Sequence, residues 1–398
     1  SSDLGVLQLG GANTFTGGLT VSSGGLIIAS DTNSLLLNDP VVTGPVGTGM
    51  LTMGANTTML AGGAARTITN DVTFLGDTVF TGTNNLTLNG TTTLPSVWGA
   101  TVTAPQMTVT IGNSSPSTSS DIINKSGLGL LVVGNYAGTI NATGGLLFAS
   151  DGNTLGTVEN VNLTGNVNIT GDTAITVNRS GGAPNARNKI LQKIDLVNGG
   201  SIMSVSNLSG FGLEFTGTTT LNGASHFAVG TATASNVVQG LILSGVVSDA
   251  GGYDLVKSGP GTLVLSNSGN TFGATGKTID ILGGILSVSS DGALGNSNNS
   301  ITLNADAGTG VGFRSTGTFS TTRLFNLNQA NNAVEVTSGN LLTLSSPLAF
   351  SATTNALFKN DNGILEIAAS NSASNWYNTI AGITINAGAV RLSDSAAA

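Results

Sequence analysis

The stretch formed by residues 253–291 constrains the fold most, because its pattern occurs four times in the chain. It contains short runs in which apolar and polar residues alternate, such as residues 278–281 and 285–288, each bounded by Gly, Asn or Ser. This period of two predicts short, half-buried strands, and no helical pattern fits. The pair Gly283-Gly284 stands where the backbone must turn, since only glycine reaches positive φ without steric cost.

The four copies of this pattern lie near residues 1–31, 125–151, 257–291 and 359–394. Each runs through a glycine-containing turn, a strand, an Asn-rich turn, a second strand, a Gly-Gly or Ala-Gly pair, a third strand and a closing Ser-Asp. A lysine opens three copies (Lys125, Lys257, Lys359); the pairs are Gly24-Gly25, Gly144-Gly145, Gly283-Gly284 and Ala387-Gly388; the closing dipeptides are Ser30-Asp31, Ser150-Asp151, Ser290-Asp291 and Ser393-Asp394. Because one such unit cannot bury its own apolar face, the copies must stack on neighbouring turns.

The repeat therefore predicts an all-β fold, a β-solenoid that runs continuously through residues 1–398 with no interdomain linker. Strand candidates between the copies recur every eight to twelve residues or so, which suits a sandwich or a solenoid, and the order of the repeats favours the solenoid. Residues 179–193 break the alternation and carry four basic side chains, namely Arg179, Arg187, Lys189 and Lys193. We expect this segment to leave the stack, either as a solvated basic loop or as a binding loop.

The composition supports a narrow core with polar corners and excludes several classes of protein. Only 8% of the residues are charged, against about 25% in an ordinary domain, while 39% are apolar and 58 are glycine. Disordered chains show the reverse balance. The net charge of −8 leaves no basic stripe for nucleic acid, and the absence of cysteine excludes disulfides and thiolate metal sites. No apolar run approaches the roughly 18 residues that would span a bilayer, so we expect no membrane insertion by this segment.

The chemistry-bearing residues do not form a recognisable catalytic set. Most acids stand alone within alternating strands or flank turns (Glu159, Glu214, Glu335, Glu366, Asp249, Asp254), and the repeated Asp of Ser-Asp is expected to bond nearby backbone N–H groups in an Asx-type turn. His226 is the only histidine and is expected on the outer face of a strand. Arg314 and Arg323 near Asp306 are the nearest approach to a lyase site. We therefore assign no catalytic, cofactor-binding or metal-binding residue.

Several of these residues resemble the autotransporter-associated β-strand repeat, or passenger-associated transport repeat, of bacterial type V secreted proteins. The resemblance rests on residues 259–265, on Asn270-Thr271-Phe272, on residues 279–281 and 283–286, and on residues 5–28. It implies a right-handed parallel β-helix, export across an outer membrane and exposure at the cell surface. The last copy departs from the pattern, with Trp376-Tyr377-Asn378 where an Asn-Thr-aromatic turn is expected, and no C-terminal translocator barrel follows it in this sequence.

These observations predict a non-enzymatic structural or adhesive rod, a segment of a large extracellular or outer-membrane surface protein. Its expected partners are further copies, which stack end to end into a fibre, or a surface glycan or matrix ligand. The alternative is a carbohydrate-active β-helix, either a polysaccharide lyase or hydrolase or a glycan-binding module, with a groove beside residues 179–193. A third hypothesis, ice or surface binding by threonine rows, rests on the triplets 91–93 and 218–220.

Overall fold

The chain forms two compact units of β-structure. The computed structural model describes residues 5–33, 41–114, 118, 120–133, 136–150, 158–160, 167–179, 190–193, 196–207, 212–230, 240–304, 310–368 and 381–393. Unit 1 comprises residues 1–150 and 160–176, and unit 2 comprises residues 151–159 and 177–398.

Short strands make up nearly all of the regular structure. The first sixteen are β1 (Val6–Leu9), β2 (Leu19–Val21), β3 (Gly25–Ile28), β4 (Leu51–Met53), β5 (Thr57–Ala61), β6 (Arg66–Ile68), β7 (Val72–Phe74), β8 (Thr78–Phe80), β9 (Leu86–Thr93), β10 (Val97–Val102), β11 (Thr108–Ser114), β12 (Ile122–Ser126), β13 (Leu130–Val133), β14 (Thr139–Ser150), β15 (Val158–Asn160) and β16 (Val167–Arg179).

The remaining strands belong to unit 2. They are β17 (Ile190–Lys193), β18 (Leu196–Asn198), β19 (Ile202–Asn207), β20 (Gly212–Phe215), β21 (Thr219–Leu221), β22 (Ser225–Val229), β23 (Leu241–Leu243), β24 (Val247–Asp249), β25 (Leu255–Ser258), β26 (Thr262–Leu265), β27 (Thr278–Ile281), β28 (Gly284–Val288), β29 (Ser300–Leu303), β30 (Val311–Ser315), β31 (Phe319–Thr321), β32 (Phe325–Leu327), β33 (Asn331–Val336), β34 (Leu341–Leu344), β35 (Leu348–Phe350), β36 (Ala356–Asn360), β37 (Ile364–Ile367), β38 (Gly382–Ile385) and β39 (Ala389–Leu392). A 3₁₀ turn, Asp291–Leu294, follows β28.

Strands of successive turns pair in parallel and in register, which confirms the predicted β-solenoid. In unit 1, one stack runs β1-β3-β5-β8-β10-β12-β14. In unit 2, one sheet has ten strands in the order β15-β17-β20-β23-β26-β28-β30-β33-β36-β38, and a four-stranded sheet runs β31-β34-β37-β39. The right-handed sense that the family resemblance implies stays a prediction, as does one continuous solenoid through all 398 residues.

The core of each unit is a ladder of inward-facing apolar side chains. In unit 2, Leu241, Leu263, Leu286 and Phe313 are register partners on four successive turns, and all are fully buried. Burial of each such side chain contributes about 1.5–3 kcal/mol. The two neighbours of Leu286 in β28, Ile285 and Ser287, lie on the opposite face of the strand, where Ile285 is half-buried and Ser287 is buried. None of the helices among the described residues is long and apolar enough to cross a membrane.

One glycine in each repeat pair is required by the stacking. In each copy, one glycine of the pair stands directly before the residue at which the strand begins to pair with the preceding turn. This glycine has positive φ in all four copies, with values of 85° at Gly24, 101° at Gly144, 63° at Gly284 and 72° at Gly388. A Cβ atom there would lie well inside van der Waals contact of a backbone oxygen of the turn below. The other member of the pair does not have positive φ, so alanine can take this conformation, as Ala387 does in the last pair.

The closing Ser-Asp dipeptide ties turns together instead of forming a local turn. Asp31 Oδ1 accepts a hydrogen bond from Thr67 N at 2.8 Å, 36 residues further along, and Asp291 Oδ1 accepts one from Arg323 Nε at 2.8 Å. The Asx-turn prediction is therefore wrong for these two residues. Asp249 does behave as a turn acid, since its carboxylate accepts hydrogen bonds from the backbone N–H groups of residues 252 and 253.

Part of the predicted excursion at residues 179–193 belongs to the solenoid. Strand β17 occupies Ile190–Lys193 and pairs in parallel with β20, so this part of the prediction is wrong. Arg179 ends strand β16. Residues 180–189 lie outside the described residues, and so do Asp306, Asp151, Asp394 and the segment Trp376-Tyr377-Asn378.

Candidate functional site

The lysine that opens three of the repeat copies is buried at a corner of the solenoid. Lys257 is fully buried on strand β25, and its ammonium group donates to Ser258 O at 2.6 Å and to Gly259 O at 2.9 Å. It also donates to Gly283 O at 2.9 Å, 26 residues along and on the next turn. All three N–H bonds of the ammonium group are thus directed at backbone carbonyls of the corner.

The same arrangement recurs at the other two lysines. Lys125 donates to the carbonyls of the next two residues, at 2.8 Å each, and is 2% exposed. Lys359 is fully buried and donates to the carbonyls of Asn360, Asp361 and Ala387. Residues 127, 259 and 361, each two positions after its lysine, have positive φ, which turns their carbonyls toward the ammonium group. The recurrence indicates a structural unit of the repeat.

Burial shifts the titration of these lysines. It lowers the pKa of Lys257 to about 7 and that of Lys125 to about 8. The pKa of Lys359 is lowered as well, mainly by burial, although the nearby carboxylates of Asp361 and Glu335 act in the opposite direction. A lysine with a lowered pKa can act as a base or nucleophile elsewhere, but an ammonium group enclosed by carbonyls offers no free face to a substrate.

The Asn-Thr-Phe turn of the repeat is also structural. Asn270 Oδ1 accepts a hydrogen bond from Val247 N, and its Nδ2 donates to Ala293 O, both at 2.8 Å and both 23 residues away. In the first copy, Asn13 Nδ2 donates to Pro45 O at 2.9 Å in the same manner. One side chain therefore links the turn below to the turn above.

The described acids serve mostly as hydrogen-bond acceptors between turns. Glu214 accepts from the Ser244 hydroxyl at 2.6 Å. Glu366 accepts from the hydroxyls of Ser393 and Thr343 at 3.0 Å each, and the Ser393 contact is the main reason why its pKa is lowered. Such acids are held by the ladder of outward-facing side chains, as expected for structural carboxylates.

Asp280 is the described acid whose pKa is raised. Half-burial is the main cause, and the charge of Asp254 on the preceding turn adds to it. Both carboxylates contact Thr278, since Asp254 accepts from its backbone N–H at 2.9 Å and Asp280 from its hydroxyl at 3.2 Å. Two acids on adjacent turns, one of them raised in pKa, are the feature of the described chain that most resembles the carboxylate pair of a glycoside hydrolase.

The histidine and the described arginines do not assemble a catalytic site around those acids. His226 lies on the outer side of β22, as predicted, with Nε2 2.5 Å from the Ser258 hydroxyl on the next turn. This contact resembles the ladder contact between the hydroxyls of Thr101 and Ser126 at 2.7 Å. Arg323 is 3% exposed and binds the carboxylate of Asp291 together with carbonyl oxygens of the preceding turn.

A groove lies on the outer face of each described unit. The groove of unit 1 has a volume of about 380 Å³ and is polar, with Asp77, Gly99 and Asn124 on successive turns. An amide ladder continues it, in which Asn141 Nδ2 donates to Asn124 Oδ1 at 2.8 Å. The middle members of the two threonine triplets, Thr92 and Thr219, are fully buried, whereas Thr93 is exposed and in register with Thr73 on the preceding turn, so the ice-binding hypothesis stays a prediction.

The groove of unit 2 has a volume of about 500 Å³ and a more apolar lining. Its floor and two end walls are formed by residues of strands β28, β30, β33 and β36. Its rim is formed by asparagine carboxamides and the carboxylate of Glu335. We call it the slot.

Among the described residues, no group of three or more His, Cys, Asp or Glu side chains is placed to hold a metal ion. Comparison with known proteins adds no assignment: no protein-family model, no curated protein and no solved structure matches this chain.

Proposed function

We propose that the chain is a non-enzymatic structural or adhesive segment of a large secreted or cell-surface protein of the autotransporter type. Its task would be to present an outer surface on a stack of β-turns and to add to further turns at its ends. An extracellular or outer-membrane location follows from the family resemblance of the repeat residues.

The observation that carries this proposal is the use of the recurring residues. A site that performs chemistry keeps its reactive groups accessible, whereas the repeat lysines, asparagines and aspartates bond to backbone or arginine groups of neighbouring turns. The sequence features that recur are thus those that stack one turn on the next, as expected where the repeat itself is the product of selection.

Exposed aliphatic side chains support assembly through the end strands. On β1, Val6 is 62% exposed and Leu7 is 44% exposed. On the end strands β38 and β39, Ile385 is 51% exposed and Leu392 is 64% exposed. Of these residues, Leu7, Ile385 and Leu392 occupy inward positions, since their register partners Leu26, Lys359 and Ile367 are at most 3% exposed. A further turn stacked on either strand would extend the parallel ladder and cover this apolar surface.

Sedimentation velocity over a range of protein concentrations tests assembly. We expect the wild-type chain to self-associate and the variants Leu7→Asp and Leu392→Asp to remain monomeric, because a carboxylate at an inward position of the end strand must be desolvated when a further turn stacks on it. Leu128→Asp is the matched control, since Leu128 is 65% exposed on an inner turn. A wild-type chain that stays monomeric up to its solubility limit would remove end-to-end assembly from the proposal.

The alternative, a carbohydrate-active β-solenoid, is favoured by one observation, the raised pKa of Asp280 beside Asp254. A reducing-end assay on neutral and acidic polysaccharides decides between the two classes. The proposed function predicts no product. Product formation that is lost in Asp280→Asn, and kept in the exposed-site variant Asp77→Asn, would replace it with a hydrolase.

A further inference from the structure

The slot on the outer face of the ten-stranded sheet is built by side-chain size. Ile285, Gly312, Ala333 and Phe358 are register partners on four successive turns and face outward. Two small residues therefore lie between two large ones. At about 4.8 Å per turn, the walls Ile285 and Phe358 stand roughly 14 Å apart.

The small residues of the slot are not required by the backbone. Gly312 has no positive φ, and a Cβ atom there would make ordinary contacts at 3.6 Å with Ala333 Cβ and Ile285 Cγ1. Strand positions favour β-branched residues, so glycine in the middle of β30 weakens the strand. The benefit of glycine at this place is the space above it.

The rim of the slot is rich in neutral hydrogen-bonding groups. Asn331 and Asn360 line it, and Asn360 Oδ1 accepts a hydrogen bond from Asn386 Nδ2 at 2.8 Å. Glu335 is the only carboxylate among the described lining residues, and its charge is balanced by Arg314, whose Nη2 lies 2.6 Å from Glu335 Oε2. A ligand thus meets an apolar floor, an aromatic wall and a charge-balanced polar rim.

This combination fits a pyranose ring. One face of a pyranose presents C–H bonds, which pack on an aromatic ring, while its hydroxyl groups point outward from the ring edge. A wholly apolar ligand would strip water from the rim carboxamides without replacing their hydrogen bonds, and an anionic sugar would approach the Glu335 carboxylate. The volume of about 500 Å³ lies in the range of small-ligand sites.

We propose that the slot is a non-catalytic binding site for an uncharged glycan, with a sugar ring stacked on Phe358. This inference deepens the adhesive function proposed above and rests on it, because it names the class of ligand that such a surface would hold. A hydrolase needs two carboxylates at the scissile bond, and the described lining supplies one, which Arg314 already engages.

The test uses variants that change the slot and leave the fold intact. Gly312→Val fills the floor with a residue that suits a strand, and Phe358→Ala removes the aromatic wall. The matched controls are Ala349→Val and Phe350→Ala, which alter partly exposed side chains of β35, outside the slot. Circular dichroism and thermal unfolding verify that each variant folds.

Binding is measured by isothermal titration calorimetry and by saturation-transfer-difference NMR. The probes are maltotetraose, cellotetraose and mannotetraose as neutral glycans, tetragalacturonate as an acidic glycan, and a blocked apolar tetrapeptide. We expect at least one neutral tetrasaccharide to bind, with affinity reduced at least about tenfold in Gly312→Val and Phe358→Ala and unchanged in both controls.

Three outcomes would overturn the inference. They are no binding of any neutral tetrasaccharide, binding that Gly312→Val leaves unchanged, and slot-dependent binding of the acidic glycan or the apolar peptide alone. The last result would assign the slot to a different class of partner. Failure of the proposed function is separate, since it would appear as release of reducing ends from a polysaccharide whether or not the slot binds sugar.

Discussion

Replacement of Lys257 by methionine tests the role of the buried corner cation. Methionine keeps most of the aliphatic length and removes the ammonium group. The change deletes three hydrogen bonds to buried carbonyls, each worth about 1.5–3 kcal/mol for a charged donor. It also removes the cost of burying the ammonium group. Above about pH 7 the buried group is the neutral amine, and its removal leaves buried carbonyls without a donor at about 1–3 kcal/mol each, so we expect a loss of a few kcal/mol near the upper end of the pH range.

The pH dependence of this loss follows from the shifted pKa. The pKa of Lys257 falls from 10.5 in the unfolded chain to about 7 in the folded protein, so between these two pH values the unfolded state binds more protons than the folded state. The stability of the wild type therefore rises with pH in this window, whereas Lys257→Met lacks the contribution. Linkage gives a widening of the wild-type-minus-variant gap by about 3 kcal/mol between about pH 7 and about pH 9.5.

Equilibrium urea unfolding followed by circular dichroism at several pH values measures both quantities. Lys277→Met is the matched control, because Lys277 is 36% exposed and its ion pair with Asp254 spans 3.7 Å. Exposed pairs contribute about 0–1 kcal/mol, so this control should be nearly neutral at every pH. A gap for Lys257→Met that equals that of the control, or that does not change with pH, would refute the corner-cation argument.

Two further substitutions test the contacts between turns. Gly284→Ala should lower the free energy of unfolding by at least about 2 kcal/mol, because the residue has positive φ and its Cβ would meet a carbonyl of the turn below. Gly283→Ala should cost less, because its φ is not positive and its Cβ would approach the nearest backbone atom of Gly259 only to 3.2 Å; equal losses would contradict the argument from positive φ. Arg323→Met should lower the free energy of unfolding by about 3–5 kcal/mol, because it leaves the Asp291 carboxylate and several carbonyls unpaired. Arg391→Met is the control, because Arg391 is 55% exposed, and its free energy of unfolding should lie within about 1 kcal/mol of the wild-type value.

The sequence was sufficient for the fold class because the repeat carries its own register. Alternating runs such as residues 278–281 predict strands, and four copies in the same order predict stacking, which the parallel pairing of β27 with β29 and of β26 with β28 confirms. The recurrence of lysine at the start of three copies was the available signal for the corner cation. The structural role of this lysine could not be predicted from the sequence, because the carbonyls that surround Lys257 come from two different turns.

The features that the sequence did not reveal depend on contacts between distant turns. The role of Asp291 depends on Arg323, 32 residues away, and no local pattern links the two. The slot depends on the alignment of Gly312 and Ala333 with Ile285, which requires the number of residues in every intervening turn. Because turns differ in length through their loops, such alignments cannot be counted along the chain.

The lysine corners have a consequence for how this protein depends on its surroundings. A cage of carbonyl oxygens around a positive charge is also the way in which proteins hold dissolved inorganic cations, which then leave on dilution or in the presence of a chelator. At Lys257 the group that the carbonyls surround is attached to the polypeptide by four methylene groups, so dilution and chelators cannot remove it. A turn held in this way carries its own hydrogen-bond donor into whatever medium the chain enters.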